Sequence, residues 1–482
     1  MPCLWDSTWL LKSQENILKA IKKYKKFTLN LIKISYYFLL LNIFYYFLPK
    51  SLRKQYSDRI KIHAQKILKF FNPRIFNLQA FNLRSFILWV FNRNKKTDVL
   101  LVEDLGIIIK NSNGLLLSHL VERKSKISSP KLYVGGVWYR RPQLSGKLSD
   151  VKTAKLKSVN VLGATDAIIY GDRFFHDELN LMSSQHDLKR PDIFSFKHND
   201  SVYTINTFCR SSIKNGKALS LLKEHSINYY HWVTELIPKL LQMLKSLTRE
   251  DKRVYVLVDE GMPKQCLELL ELLLQGSKIP RYKIFKVKHG ESVHCQELIY
   301  CTPLWTALDN TTHLPNPKKE FFLSIDNLKQ VKEEVRRKFE GKKFSMGSKK
   351  LYLQSKNNRL RKLLNIVEVE ALLHKQGFDF VDPGALSFEA QFELFSQAEI
   401  IIGNSGAAFT NLLFMKEGST AIALYPSVES TNYYIFQPLA DASQVELIHF
   451  LTKPVTESKS VHGDALVDIT GLSMLLEEIK VW

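Results

Sequence analysis

The chain has 482 residues, 45% of them hydrophobic and 24% charged, with a formal net charge of +22. That balance belongs to a globular protein with a sizeable core, and the length suits two or three domains. Five scattered cysteines (Cys3, Cys209, Cys266, Cys295 and Cys301) form no C-x-x-C pair, which argues against a structural zinc site or a disulfide framework and suits a reducing cytosol.

The charge is concentrated at one end. Residues 1–100 carry 19 Lys+Arg against 4 Asp+Glu, a net of +15, so the other 382 residues hold only +7 of the +22. Residues 1–97 read as a basic, aromatic-rich helical arm. Within it, residues 27–48 are apolar but interrupted by Asn30, Lys33 and Asn42. The unbroken run is shorter than the roughly 20 residues a spanning helix needs. Lysines lie on both flanks and no small-residue cleavage site follows, so a signal peptide is not expected. Residues 59–71 add a basic amphipathic segment. The arm suits helices lying on an anionic membrane surface. The alternatives are a helical region packed on the body or on a second copy, and a true span. Because the positive charge sits in this arm rather than on the body, no nucleic-acid partner is expected. The expected location is cytoplasmic, peripheral on the cytoplasmic membrane face.

Residues 98–320 begin with short β-like runs at 99–102, 107–110, 115–118, 132–139, 167–170 and 202–208. From 220 onward helix and strand alternate: a helix over 227–247, strand 254–259, helix 263–275, and strands 282–287 and 297–302. That order implies βα units and a parallel sheet. On the first helix, Asn228, His231 (or Trp232) and Glu235 share one face. A histidine and a carboxylate four residues apart can share a proton or orient an acceptor hydroxyl. The same pair would also suit a capping role beside an aromatic core patch. Pro238 lacks an N–H, so the helix should kink or restart there.

Residues 321–482 alternate more regularly. A helix over 324–340 leads to strand 350–355, a basic loop at 356–362 and helix 366–376. Strand 378–382, helix 387–397, strand 399–404, a small-residue turn with its helix, strand 420–426, strand 445–450 and helix 471–480 complete the pattern of a doubly wound sheet. The basic loop follows a strand, so Arg359, Arg361 and Lys362 lie at the carboxyl edge, where arginines can clamp phosphates. The turn Gly403-Asn404-Ser405-Gly406-Ala407-Ala408 lets a ligand approach backbone amides at a helix start, where an anion is favoured. The same turn would also serve merely to pack a helix on its sheet.

Three blocks in order, NYYHWVTELIPKL, LYLQSKNNRLRKLLN with VDPGALSFEAQFELFSQAEIIIG, and NSGAAFTNLLFMKEGSTAIAL, resemble glycosyltransferase family 61 of the capsular polysaccharide biosynthesis type, over roughly residues 200–450. The resemblance implies an α/β, GT-B-like architecture: two Rossmann-like domains facing a cleft, here 98–320 on the acceptor side and 321–482 on the donor side, with the final helix able to pack back on the first. It implies inverting transfer from a nucleotide sugar to a glycan or other hydroxyl acceptor, as in surface polysaccharide synthesis. A catalytically inactive glycan- or nucleotide-binding relative is the alternative. Carried over, the acceptor-side motif falls on Asn228, His231 and Glu235. The donor-side motif falls on Arg359, Arg361 and Asn365, and the donor loop on Gly403, Ser405, Gly406, Ala407, Thr410 and Asn411. Glu235 is the expected base with His231 as its partner, the reverse staying open. Two positions depart from the family pattern: Ser405 stands where a histidine is common in the donor loop, and Ala423 where a carboxylate suited to ribose hydroxyls is usual after the next strand. No D-x-D triplet occurs in the chain. No cofactor is therefore expected beyond the nucleotide-sugar co-substrate, and a metal-independent site in which helix amides and arginines neutralise the leaving diphosphate.

Overall fold

The computed structural model describes residues 96–480 apart from 182–192, 198–201, 208–209, 278, 280, 308–320, 345–346, 355–360, 430 and 456–461. The helical arm expected over 1–97 lies outside the described residues up to position 95, and so does Arg359. Chain contacts divide the protein into Met1–Phe86 and Ile87–Trp482, and every described residue belongs to the second unit.

That unit is built on two large sheets. The first contains a parallel block of four strands, in the spatial order Ser292–Cys301, Arg210–Ser220, Val254–Asp259 and Tyr282–Val287. The twelve-residue strand Val151–Leu162 pairs antiparallel with Ser292–Cys301 and joins this block to the shorter strands of the first half of the chain. The second sheet runs Asp379–Val381, Lys350–Leu353, Ile400–Asn404, Thr420–Pro426 and Glu446–Pro454, all parallel. In order of appearance that is 2-1-3-4-5, a doubly wound order whose switch point falls between Lys350–Leu353 and Ile400–Asn404.

A hairpin from the first half of the chain completes this second sheet. Lys131–Val134 runs parallel to Glu446–Pro454 and turns back through Val137–Arg140. The turn is Gly135-Gly136, with φ of +55° and +80°, the left-handed pair that a two-residue hairpin demands and glycine supplies without strain.

Between the sheets lies a helical layer that shares one apolar cluster with both. Leu219, Val254 and Val256 enter it from the first sheet, and Leu351, Ile401 and Ala421 from the second. Helices Ile325–Lys338 and Phe388–Gln397 fill the space between them, with the phenylalanine rings of Phe339 and Phe392 stacked at 4.4 Å. Helices Ile366–Lys375 and Ile469–Lys480 cover the outer face of the second sheet, packing on Ile402, Leu424 and Phe450.

Two sequence expectations are corrected, and a third element, the helix expected after the small-residue turn, takes a tighter form than usual. The run at 107–110 is not a strand but part of the helix Leu105–Asn111. Asp104 caps it by accepting from the Gly106 N–H, and a good cap overrides the β preference of three isoleucines. The segment after Gly406 is an eight-residue 3-10 helix, Ala407–Phe414, rather than an α-helix. Ala423 does not lie beyond its strand. It sits fully buried inside Thr420–Pro426, paired with Gly403 and His449 and packed in the central apolar cluster. A side chain there faces core, so its identity has no bearing on a ribose.

Gly403 has a packing reason of its own. A Cβ on it would lie 2.8 Å from the Leu353 Cβ and 3.0 Å from the Leu353 carbonyl oxygen, across the switch point. Gly403→Ala should therefore lower stability by about 1–3 kcal/mol through overpacking. The check is urea unfolding, where the midpoint should fall and the slope stay unchanged.

Candidate active site

The histidine–glutamate pair forms at a break in a helix. Asn228 caps a single turn, Tyr229–His231, by accepting from the Tyr230 N–H at 2.9 Å. The chain then widens into a π-turn, Trp232–Leu236, before the α-helix Ile237–Lys245 restarts with Pro238 in its first turn. Proline can donate no hydrogen bond, and the missing bond is accommodated where the expected kink falls. Insertion of a wide turn re-aims the side chains on either side of it. His231 Nδ1 meets Glu235 Oε1 at 2.7 Å, while Glu235 Oε2 pairs with the ammonium of Lys223.

Glu235 is 2% exposed and His231 17%. Burial pushes the Glu235 carboxyl up, but the Lys223 ammonium and His231 outweigh it, and the carboxyl is held down at about 2. It is thus a fixed anion and a poor proton acceptor. The ring of His225 stacks on that of His231 at 5.6 Å, with His225 itself at φ +62°.

Of the residues expected on the donor side, Arg361 and the turn at 403–408 meet at the switch point of the second sheet. Arg361 stands at φ +58° on the loop after Lys350–Leu353. Its guanidinium reaches the Ser405 carbonyl oxygen through Nη1 and the Ser405 hydroxyl at 3.4 Å. Nε lies 3.4 Å from His462 Nδ1. Asn404 Nδ2 donates to the Arg361 carbonyl oxygen at 2.9 Å, closing the loop onto the strand end. Burial lowers the Arg361 guanidinium and raises the Tyr425 phenol. Each partly offsets the other, and Ser405 bonds the Tyr425 hydroxyl. Past Ser405 the chain opens. Gly406, Ala407 and Ala408 are only half-buried, and the first backbone bond of the 3-10 helix runs from Phe409 N–H to the Gly406 carbonyl at 2.9 Å. The amides ahead of Phe409 thus form an uncapped helix start, the arrangement that favours an anion.

These two sets of residues are joined. Tyr229, two residues before His231, donates its hydroxyl to Asn411 Oδ1 at 2.9 Å, and Asn411 lies on the 3-10 helix that begins at Ala407. An aromatic path runs beside that bond. His231 packs edge-on to Tyr230 at 5.4 Å, Tyr230 to Phe436 at 5.6 Å, and Phe436 tilts against Phe409 at 5.7 Å.

Several residues expected at the ligands hold the fold together. Trp232 is fully buried in the central cluster. Asn228 is a helix cap. Asn365 exchanges two bonds with the Val467 backbone, at 2.9 and 3.0 Å. Thr410 and Asn411 are fully buried, and the Asn411 amide is divided between Tyr229 and Gln391, each at 2.9 Å. Asparagine offers both a donor and an acceptor, and Asn365 and Asn411 each use both inside the protein. Three residues absent from the sequence reading take part: Lys223, His462 and Tyr425. The one local signal was Lys223 in the apolar run 219–223, since a lysine buried among leucines requires a carboxylate.

Residues 229–422 match the family model described as Glycosyltransferase 61, while no curated protein matches the chain. The protein is a glycosyltransferase. The matched stretch runs from the tyrosine bonded to Asn411 through the dyad and the amide corner to the middle of strand Thr420–Pro426.

The Glu235 anion also sets an acid limit on stability. Its folded value lies below the ordinary carboxylate value of about 4.3, so its contribution is complete above that value and is lost as pH falls towards about 2. Acid unfolding followed by tryptophan fluorescence should show this loss in the wild type. Glu235→Gln should be less stable at neutral pH and should lose less on acidification.

Proposed function

We propose that the protein transfers a sugar, with inversion, from a nucleotide-sugar donor to a hydroxyl of a glycan acceptor. His231 is the general base. The observation that carries this reading is the Tyr229–Asn411 bond, which ties the helix bearing the His231–Glu235 pair to the helix whose open amides begin at Gly406. The roles expected within the pair are exchanged. An anion held at about 2 has little basicity at neutral pH, whereas it can keep a proton on His231 Nδ1 and so leave Nε2 as the basic nitrogen.

In the reaction the acceptor oxygen attacks the anomeric carbon as His231 Nε2 takes its proton. The bond between that carbon and the diphosphate oxygen breaks, and the nucleoside diphosphate leaves with the electron pair. Amides at 406–408 and the Arg361 guanidinium stabilise the growing negative charge where it develops, with no metal ion required of the protein. A GT-B arrangement in which the acceptor enters on the side of the first sheet and the donor sits on the second fits these roles. Surface polysaccharide synthesis, with the basic arm on the cytoplasmic membrane face, is the setting we assign to it.

Two substitutions separate the halves of the site. His231→Ala should cut transfer by about 10²–10⁴-fold while nucleotide binding is retained. Gly406→Ala should leave the unliganded melting temperature unchanged. Gly406 is in extended backbone, and the nearest atom to an added Cβ is 3.8 Å away. The same change should weaken the thermal shift produced by nucleoside diphosphates. A screen of the full chain against nucleoside diphosphates and nucleotide sugars tests the whole reading. No shift with any of them overturns it, and binding without transfer or hydrolysis would leave a binding protein in its place.

A further inference from the structure

Lys223 lies on the loop leaving strand Arg210–Ser220, six residues before the family match begins. Its side chain is 4% exposed, with the ammonium paired to Glu235 Oε2 and 4.8 Å from the centre of the Trp305 ring. Buried lysines ordinarily run their stems along apolar surface and return the charge to water. This one is directed inward to one carboxylate oxygen. The loop is anchored to hold it there. Lys223 N–H and the Ser226 hydroxyl both donate to Asp259 Oδ2, at 3.2 and 2.5 Å, and Ala164 N–H donates to Asp259 Oδ1.

We propose that Lys223 is a positioning residue for the transfer reaction: it holds Glu235 in place as an anion, so that the other carboxylate oxygen orients the His231 ring with Nδ1 protonated. The inference rests on His231 being the base. Its logic is charge balance in a buried site. With Lys223 present, ammonium, carboxylate and neutral imidazole sum to zero. Without it the same set carries −1, and protonating the imidazole restores neutrality. An imidazolium cannot accept the acceptor's proton, so the lysine keeps the base in its working form.

The other charged groups around the set do not replace it. Glu224 and His225 lie on the same loop, His225 stacked on His231. Asp259 faces the loop backbone from the end of Val254–Asp259. Asp166, whose charge also feels Lys223, is bonded to His176 at 2.8 Å. Lys239, two turns beyond His231, is engaged with Asp177 at 3.3 Å and stands over the Tyr300 ring.

The test titrates the histidine rings of the full chain by NMR, with His231 assigned by its loss in His231→Asn. In Lys223→Met its midpoint should rise by about 1–3 pH units, the range for losing a close charge partner. Lys223→Arg, which keeps the charge, should titrate near the wild type. The acid limb of kcat/KM should move up by the same amount. In a Glu235→Gln background, Lys223→Met should shift His231 far less. A wild-type midpoint in Lys223→Met, or in Lys223→Gln should the methionine variant not fold, overturns the proposal. So does a shift of full size in the Glu235→Gln background, and so does failure of both neutral variants and Lys223→Arg alike to fold, since the role would then be structural. Transfer surviving in His231→Asn would instead defeat the base assignment, and the titration would still read the charge coupling by itself.

Discussion

A carboxylate sealed from water must be matched by positive charge or give up its own, and Glu235 keeps its own. Much of the local architecture follows from that constraint. One oxygen is met by Lys223, which requires the loop after Arg210–Ser220 to return over the helix, and Asp259 pins that loop. The other is met by His231, four residues earlier, across a turn widened to a π-helix and followed at once by Pro238. Removing the Lys223 ammonium would leave a buried charge uncompensated, the costliest kind of defect in a protein interior, and removing His231 would strip the other oxygen of its partner. The irregular helix is the backbone form that lets one glutamate serve both partners.

A second constraint brings the two halves of the site together. Neither sheet closes a core alone on its inner face, because helices between them contribute to a single apolar cluster reaching both. The carboxyl ends of two parallel blocks are thereby held against shared elements. On one side stand the loop 221–228 and the dyad, and on the other the loop bearing Arg361 and the open turn after Ile400–Asn404. The Tyr229 hydroxyl on Asn411 and the row of rings from His231 to Phe409 are the visible seams. The family match spans both sides of this seam, from Tyr229 to Ile422.

The turn after Ile400–Asn404 shows how two demands divide among neighbouring small residues. Gly403 is small so that Leu353 can approach on the adjacent strand. Gly406, by contrast, meets nothing closer than 3.8 Å where a side chain would begin, and lies in extended backbone. The first serves the sheet and the second lies at the half-buried, uncapped amides. Arg361 works in the same mixed way: part of its guanidinium braces Ser405 and part lies against His462, so its charge sits beside the turn in a fixed orientation.

The alternation of apolar runs and helical periods from 220 onward by itself determined the βα order, because burial on two faces leaves a strand with a continuous apolar run that no loop imitates. The pairing of His231 with Glu235 and the break at Pro238 were equally local, fixed by helical spacing and a missing N–H. Strand Val151–Leu162 escaped notice because lysines at 152, 155 and 157 interrupt its apolar residues. Ile107–Ile109 misled because one aspartate cap outweighs three β-branched residues. Only the tertiary structure decided that the hairpin 131–140 completes the second sheet, that Asn365 and Asn411 are spent inside the protein, and that Lys223 reaches Glu235. Each of these depends on which distant backbone arrives beside a side chain. A polar residue's partner is set by that arrival, and sequence spacing carries no record of it.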